Sequence, residues 1–132
     1  MEHILKVPLT IKERKNPQDL TAPPKYYVQA TKAGTVGLER LAYLISNQST
    51  VREPDCLAVL SALVHNMKDE LAQGRVVSLD GLGNFQIGVR SEGSETQDAV
   101  SSANVKSAHI NFRPSKKLKK VLKSLDFSMK LG

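Results

Sequence analysis

The sequence predicts an α+β fold: two helices, then a three-stranded antiparallel sheet interrupted by a polar excursion, then a C-terminal helix. Three observations predict it. Leu57, Leu60, Val64, Met67 and Leu71 recur at spacings of 3, 4, 3 and 4, the apolar seam of a long helix. After Gly74 the apolar period changes from helical to alternating. Pro114 then separates the last alternating run from a lysine-rich helical stripe.

The elements follow in order. Residues 1–33 hold Pro8, Pro17, Pro23 and Pro24 and no helical period. His3 to Val7 predicts a short strand ended by Pro8, Arg14 to Asp19 a turn, and Tyr26 to Ala30 a second strand. Leu38, Leu41, Ala42 and Ile45 form one helix face, with Thr35 as its expected N-cap and Asn47 near its end. Thr50 and Glu53 have the spacing of a capping box, and Pro54 suits a first helical turn. Val59 and Leu63 widen the seam of this second helix. A seam so wide in so small a protein calls for cover on both sides, by a partner subunit or by the first helix and the sheet. Gly74 is the expected C′ residue. Arg75–Leu79 and Phe85–Val89 read as strands around a turn at Asp80–Asn84. Residues 91–104 read as an exposed polar excursion, and Val105–Phe112 as the third strand. Leu118, Val121, Leu122 and Leu125 give the last helix, Ser115 to Leu125, its buried stripe.

A length of 132 residues fits one domain. With Cys56 the only cysteine, a disulfide framework and a cysteine zinc site are excluded. The opening MEHILKVPL lacks the pattern of a secretory signal, and no apolar run is long enough to predict a membrane span. A reducing cytoplasm is the expected compartment. The net charge of +6 is unevenly placed: residues 1–112 hold twelve basic and twelve acidic side chains, whereas residues 113–132 hold seven basic ones against Asp126. So dense a positive block suits a polyanion or an acidic surface, or else a solvated helix face.

The stretch from Val76 to Leu122 resembles the bacterial histone-like HU/IHF family of DNA-binding proteins. Val77, Leu79, Gly81, Leu82, Gly83, Asn84 and Phe85 carry the resemblance in the hairpin. Phe112, Arg113, Pro114, Ser115, Lys116, Leu118 and Lys119 carry it at the last strand–helix junction. The two preceding helices are similar in length and spacing, and the Pro-rich opening resembles a longer HU-like subgroup with an N-terminal extension. The expected organisation is an extension over 1–33, an HU-like DNA-binding domain over 34–127 and a tail over 128–132.

The resemblance implies an intertwined homodimer whose sheets form a saddle and whose arms reach around double-stranded DNA. Such proteins are nucleoid-associated and bend or condense DNA largely without sequence preference. Leu57, Leu60, Val64, Met67 and Leu71, with Phe85 and Phe112, are the expected dimer interface; the two phenylalanines also read as core. The expected DNA contacts are Arg113, Ser115, Lys116, Lys117, Lys119 and Lys120, with Arg90 and Lys106 at the arm roots. Lys116, Lys119, Lys120 and Lys123 share a helix face, and Ser115 stands where free N–H groups favour a phosphate.

The chain departs from the family in its arm. The family's arm is basic and ends in an Asn-Pro pair whose proline wedges between base pairs. The excursion here has no proline and carries Glu92, Glu95 and Asp98, so no wedge is assigned. Asn16-Pro17-Gln18 is similar to that tip but lies in another segment. Tyr26 and Tyr27 read as sheet packing, His65 and His109 as structural, and Cys56 as inert. Gly81 and Gly83 read as turn residues. No catalytic or metal constellation is found, and no cofactor, membrane or small-molecule substrate is expected. The alternative to a DNA-binding protein is an HU-fold structural or protein-interaction module with weak or no DNA binding.

Overall fold

A computed structural model describes residues 6–130. The order is β1 (Lys6–Arg14), β2 (Lys25–Ala30), α1 (Leu38–Gln48), α2 (Glu53–Ala72), β3 (Val77–Leu79), β4 (Gly83–Ser91), β5 (Val105–Pro114), α3 (Lys116–Lys123) and β6 (Asp126–Met129). The fold is α+β as expected, but strands precede the helices. The described residues form two compact units, a terminal one drawn from both ends of the chain, up to Val36 and from Val121 onward, and a central one of residues 37–120; the division falls within α3.

The terminal unit is a three-stranded sheet in the order β2-β1-β6. β1 pairs antiparallel with β2 and parallel with β6. The expected first strand is thus longer than its sequence signal, and Pro8 lies inside it instead of ending it. The β2 ladder pairs from Leu9 onward, so the missing proline N–H falls where that ladder has ended. Only the Pro8 carbonyl is engaged there, by the Thr31 N–H at 2.8 Å. His3, Ile4 and Leu5 lie outside the described residues. The ladder sorts side chains by face. Val7, Leu9 and Ile11 share one with Tyr26, Val28, Phe127 and Met129, while Lys12 and Arg14 share the other with Lys25 and Tyr27.

The central unit packs α1 on α2 and sets α2 beside the antiparallel sheet β3-β4-β5. Gly37, which has no side chain to cap with, takes the N-cap position of α1, so Thr35 is not the N-cap. The expected capping box at Thr50 and Glu53 is not made either. Arg52 takes the N-cap position, Pro54 occupies the first turn, and Glu53 and Asp55 complement the positive end of the helix dipole. Gly74 has φ +84°, the left-handed conformation expected of C′.

Burial in the central unit is sparse. Ala42 and Cys56, at 0% and 4% exposure, are the only buried apolar side chains among the described residues. Leu57, Leu60, Met67 and Leu71 of the seam are half-buried, and Val59, Leu63 and Val64 are exposed. Phe85 and Phe112 meet across β4 and β5 with ring centroids 4.8 Å apart, yet Phe112 is 43% exposed. Within one chain these rings line an open sheet face with Ile87 and Ile110; they do not form a closed core.

Gly83 is fixed by close approach: a Cβ there would overlap the Arg113 carbonyl oxygen and meet the Phe112 ring at 2.7 Å. Gly93 has nothing within 4 Å of such an atom. Gly83→Ala should therefore destabilise the protein by about 1–3 kcal/mol, and Gly93→Ala should stay within about 0.5 kcal/mol of the parent. Urea denaturation of the two variants checks this contrast.

Candidate nucleic-acid interface

The lysine-rich helix is held at its first turn. The Ser115 N–H donates to the Leu82 carbonyl at 2.9 Å, tying the helix start to the β3–β4 turn. The Ser115 hydroxyl accepts from the Leu118 N–H at 3.1 Å, an N-cap bond. Gly81, with φ +86°, lets this turn close. A side-chain atom on Gly81 would stand 3.9 Å from Lys117 Cδ, so the Lys117 stem lies along the turn. Ser115 thus acts first as a cap, with its N–H already engaged.

Beyond it Lys116, Lys117, Lys119 and Lys120 are exposed. Among the described residues none of them forms an ion pair. Lys116, Lys119, Lys120 and Lys123 follow helical spacing, while Leu118 is half-buried on the other side. The rest of the expected stripe is incomplete. α3 ends at Lys123, Leu125 is half-buried, and Val121 and Leu122 are 51% and 55% exposed. Beyond the helix Asp126–Met129 forms β6, a strand that the sequence did not announce.

The central sheet separates its faces by register. Arg113 lies opposite Asn84, and Arg90 opposite Ser107. Both arginines share the polar face with Gln86, His109 and Asn111, on opposite sides of Gly88. Six residues of β4 separate their rows, about 20 Å of strand. A side chain at Gly88 would meet His109 Nε2 and Asn111 Nδ2 at 2.5 and 2.8 Å, so those two side chains cover the glycine. Asn84, Gln86, Asn111 and Arg113 border a shallow hollow with Val76. These amides suit phosphate contacts, although a count of charges along the sequence does not single them out. The alternating pattern of β4 and β5 was the signal that could have found them.

Lys106 is not brought to this group. It alternates to the other side of β5, next to the irregularity at Arg90/Ser91, and its Nζ lies 3.9 Å from Glu92 Oε1. The excursion beyond it is folded back on itself. Two single-turn 3₁₀ helices, Gln97–Ala99 and Ser102–Asn104, shape it, the second with a capping box between Ser101 and Asn104. The Asn104 side-chain amide also donates to the Glu92 carbonyl and the Ser94 hydroxyl.

Comparison with known proteins places this geometry. A family model described as "HU domain fused to wHTH, Ig, or Glycine-rich motif" (HU-HIG) matches residues 5–129. The chain belongs to the HU-HIG family. The HU-HIG chain is also similar to solved structures. One, from Bacteroides vulgatus, is named "Putative bacterial DNA binding protein"; it is 15% identical with a TM-score of 0.64, over 95% of this chain and 48% of its own. The chain thus spans about half the length of that protein. Another is Anabaena HU in a cocrystal with DNA, 17% identical with a TM-score of 0.54, over 67% of this chain and 99% of its own. At these identities the likeness is one of fold. Among curated proteins no sequence match is found.

The cap at Ser115 leads to a measurable expectation. Ser115→Ala should lower stability by about 1 kcal/mol, whereas Ser115→Asp, which keeps an acceptor at the cap, should retain most of it. Urea denaturation of both variants distinguishes a capping bond from a bystander hydroxyl.

Proposed function

We propose that this HU-HIG chain is an architectural protein that binds double-stranded DNA largely without sequence preference, as a nucleoid-associated homodimer in the cytoplasm. One observation carries the reading. Arg113, Lys116, Lys117, Lys119 and Lys120 stand exposed around a junction that Ser115 and Leu82 fix, and none forms an ion pair among the described residues. Cations anchored in this way grip phosphates and read no base edges. Arg90 and Arg113 on the polar face of the sheet extend the same electrostatic surface, with Asn84, Gln86 and Asn111 between them. Lys106 contributes less, because Glu92 lies beside it.

Burial supports the homodimer. A central unit with two buried apolar side chains leaves the seam of Leu57, Leu60, Val64, Met67 and Leu71 partly open, together with the sheet face of Phe85 and Phe112. A second copy would cover both and remove that apolar surface from water.

A second reading is an HU-fold interaction module with weak DNA binding. It is favoured by the arm, whose excursion holds Glu92, Glu95 and Asp98 and closes on itself through Asn104. Phosphates would repel such an arm, so wrapping of the duplex by this element is not part of the first reading.

Titration of unrelated duplexes at several salt concentrations separates the two. The DNA-binding reading predicts that log K falls linearly with log salt, and that replacing Lys116, Lys119 and Lys120 by Gln reduces the slope by about 2.7. No binding at low salt selects the interaction module. Light scattering should give the mass of two chains, and a strict monomer at micromolar concentration contradicts the homodimer.

A further inference from the structure

We propose that the polar face of the β1–β2 hairpin is a second anion site, which takes phosphate groups of the duplex backbone; this rests on the DNA-binding reading above. The register sets Arg14 opposite Lys25 and Lys12 opposite Tyr27, so these four side chains share one face. Like charges directly opposite on adjacent strands are unfavourable. The Arg14 guanidinium lies over the Tyr27 ring, 5.4 Å from its centroid, which holds it beside Lys25. Lys15, Asn16, Ala22 and Pro23 complete a hollow of about 320 Å³.

The nearby acids do not neutralise it. Glu13 alternates to the opposite face, where it lies across from Tyr26. The Asp19 carboxylate accepts from the Thr21 hydroxyl at 2.6 Å and the Thr21 N–H at 3.0 Å. Those bonds hold its pKa below the ordinary aspartate value, so it stays charged but engaged within its own turn. Among the described residues no ion pair reaches Arg14, Lys15 or Lys25.

The lining is rich in donors. Asn16 Oδ1 already accepts from the Gln18 N–H at 2.9 Å, which leaves its amide N–H₂ to donate. Guanidinium, two ammonium groups, an amide N–H₂ and a phenol call for a ligand of several acceptor oxygens and negative charge. A phosphate meets that description, and the arginine fork suits it. All lining residues except Ala22 are exposed, so the hollow is an open recess. An open recess admits one group of a polymer backbone more readily than it sequesters a free small molecule.

The test compares salt slopes for binding of unrelated duplexes. The variants are Arg14→Gln/Lys15→Gln/Lys25→Gln, the charge-retaining Lys15→Arg/Lys25→Arg, and Lys116→Gln/Lys119→Gln/Lys120→Gln. Circular dichroism confirms folding of each. The hairpin site predicts that the first variant lowers the slope by about 2.7 while the second preserves it. Should the hairpin triple be unfolded, Lys15→Gln alone takes its place, with an expected reduction of about 0.9. A parental slope in the charge-removing hairpin variant, with a reduced one in the α3 variant, overturns this site and leaves the helix-centred reading standing. A reduced slope in the charge-removing hairpin variant, with a parental one in the charge-retaining and α3 variants, supports this site and contradicts the helix-centred reading. Loss of binding to polyglutamate with DNA binding unchanged would make the face a protein contact and overturn the proposal. Absence of any DNA binding by the parent overturns both.

Discussion

The hydrogen bond from the Ser115 N–H to the Leu82 carbonyl joins the two parts on which the candidate interface depends. On one side lies the Gly81–Gly83 turn, closed by a left-handed glycine and by a close approach that admits no Cβ. On the other lies a helix start capped by the Ser115 hydroxyl. Lysine side chains are long and mobile, and a cationic helix without such an anchor would be a loosely placed charge. Fixed at its first turn, it presents Lys116, Lys119 and Lys120 from a defined backbone while Leu118 turns inward. Pro114, Ser115 and Gly83 matter more to this placement than the lysines themselves.

Burial sets the second constraint. Alternation along β4 and β5 and the seam of α2 generate two apolar surfaces, but one central unit does not close them. Ala42 of α1 and Cys56 of α2 are buried, and the Cys56 thiol donates to the Val51 carbonyl at 3.8 Å. Most other apolar side chains of that unit keep partial contact with solvent. In the proposed homodimer the same faces would become a shared core, and the two basic helices would belong to one assembly. Association and DNA binding would then be coupled, since a chain without its partner would bring only half of the assembly's phosphate contacts.

Much of this was legible in the sequence, because it was encoded locally. The seam of α2, Gly74 after it, the turn glycines and a basic helix after Pro114 each have a short-range pattern, and the structure follows them, although α3 stops at Lys123 and Ser115 caps it with its own N–H engaged. Where the pattern was ambiguous the structure chose otherwise. Thr35 and Thr50 resemble caps, but Gly37 and Arg52 take those positions, and the Pro54 ring with two acids suits the α2 start without a side-chain bond. β6 was not legible: its parallel partner Lys6–Leu9 lies far back in the chain, and no local signal specifies so distant a pairing. The closed form of the polar excursion escaped for a similar reason, since it depends on Asn104 reaching back to Glu92 and Ser94. The hairpin cations were hidden by the balance of charge over residues 1–112. A sum along the chain cannot register that strand alternation places Glu13 and Arg14 on opposite faces.

The central claim concerns where the duplex touches the protein, and amide chemical-shift mapping tests it most directly. On addition of a short duplex to isotope-labelled protein, the account predicts the largest shifts at Arg113 and from Ser115 to Lys120, with Asn84 and Asn111 moving beside them. Shifts confined to the excursion around Glu92, Glu95 and Asp98, with the Ser115–Lys120 amides unmoved, would contradict it.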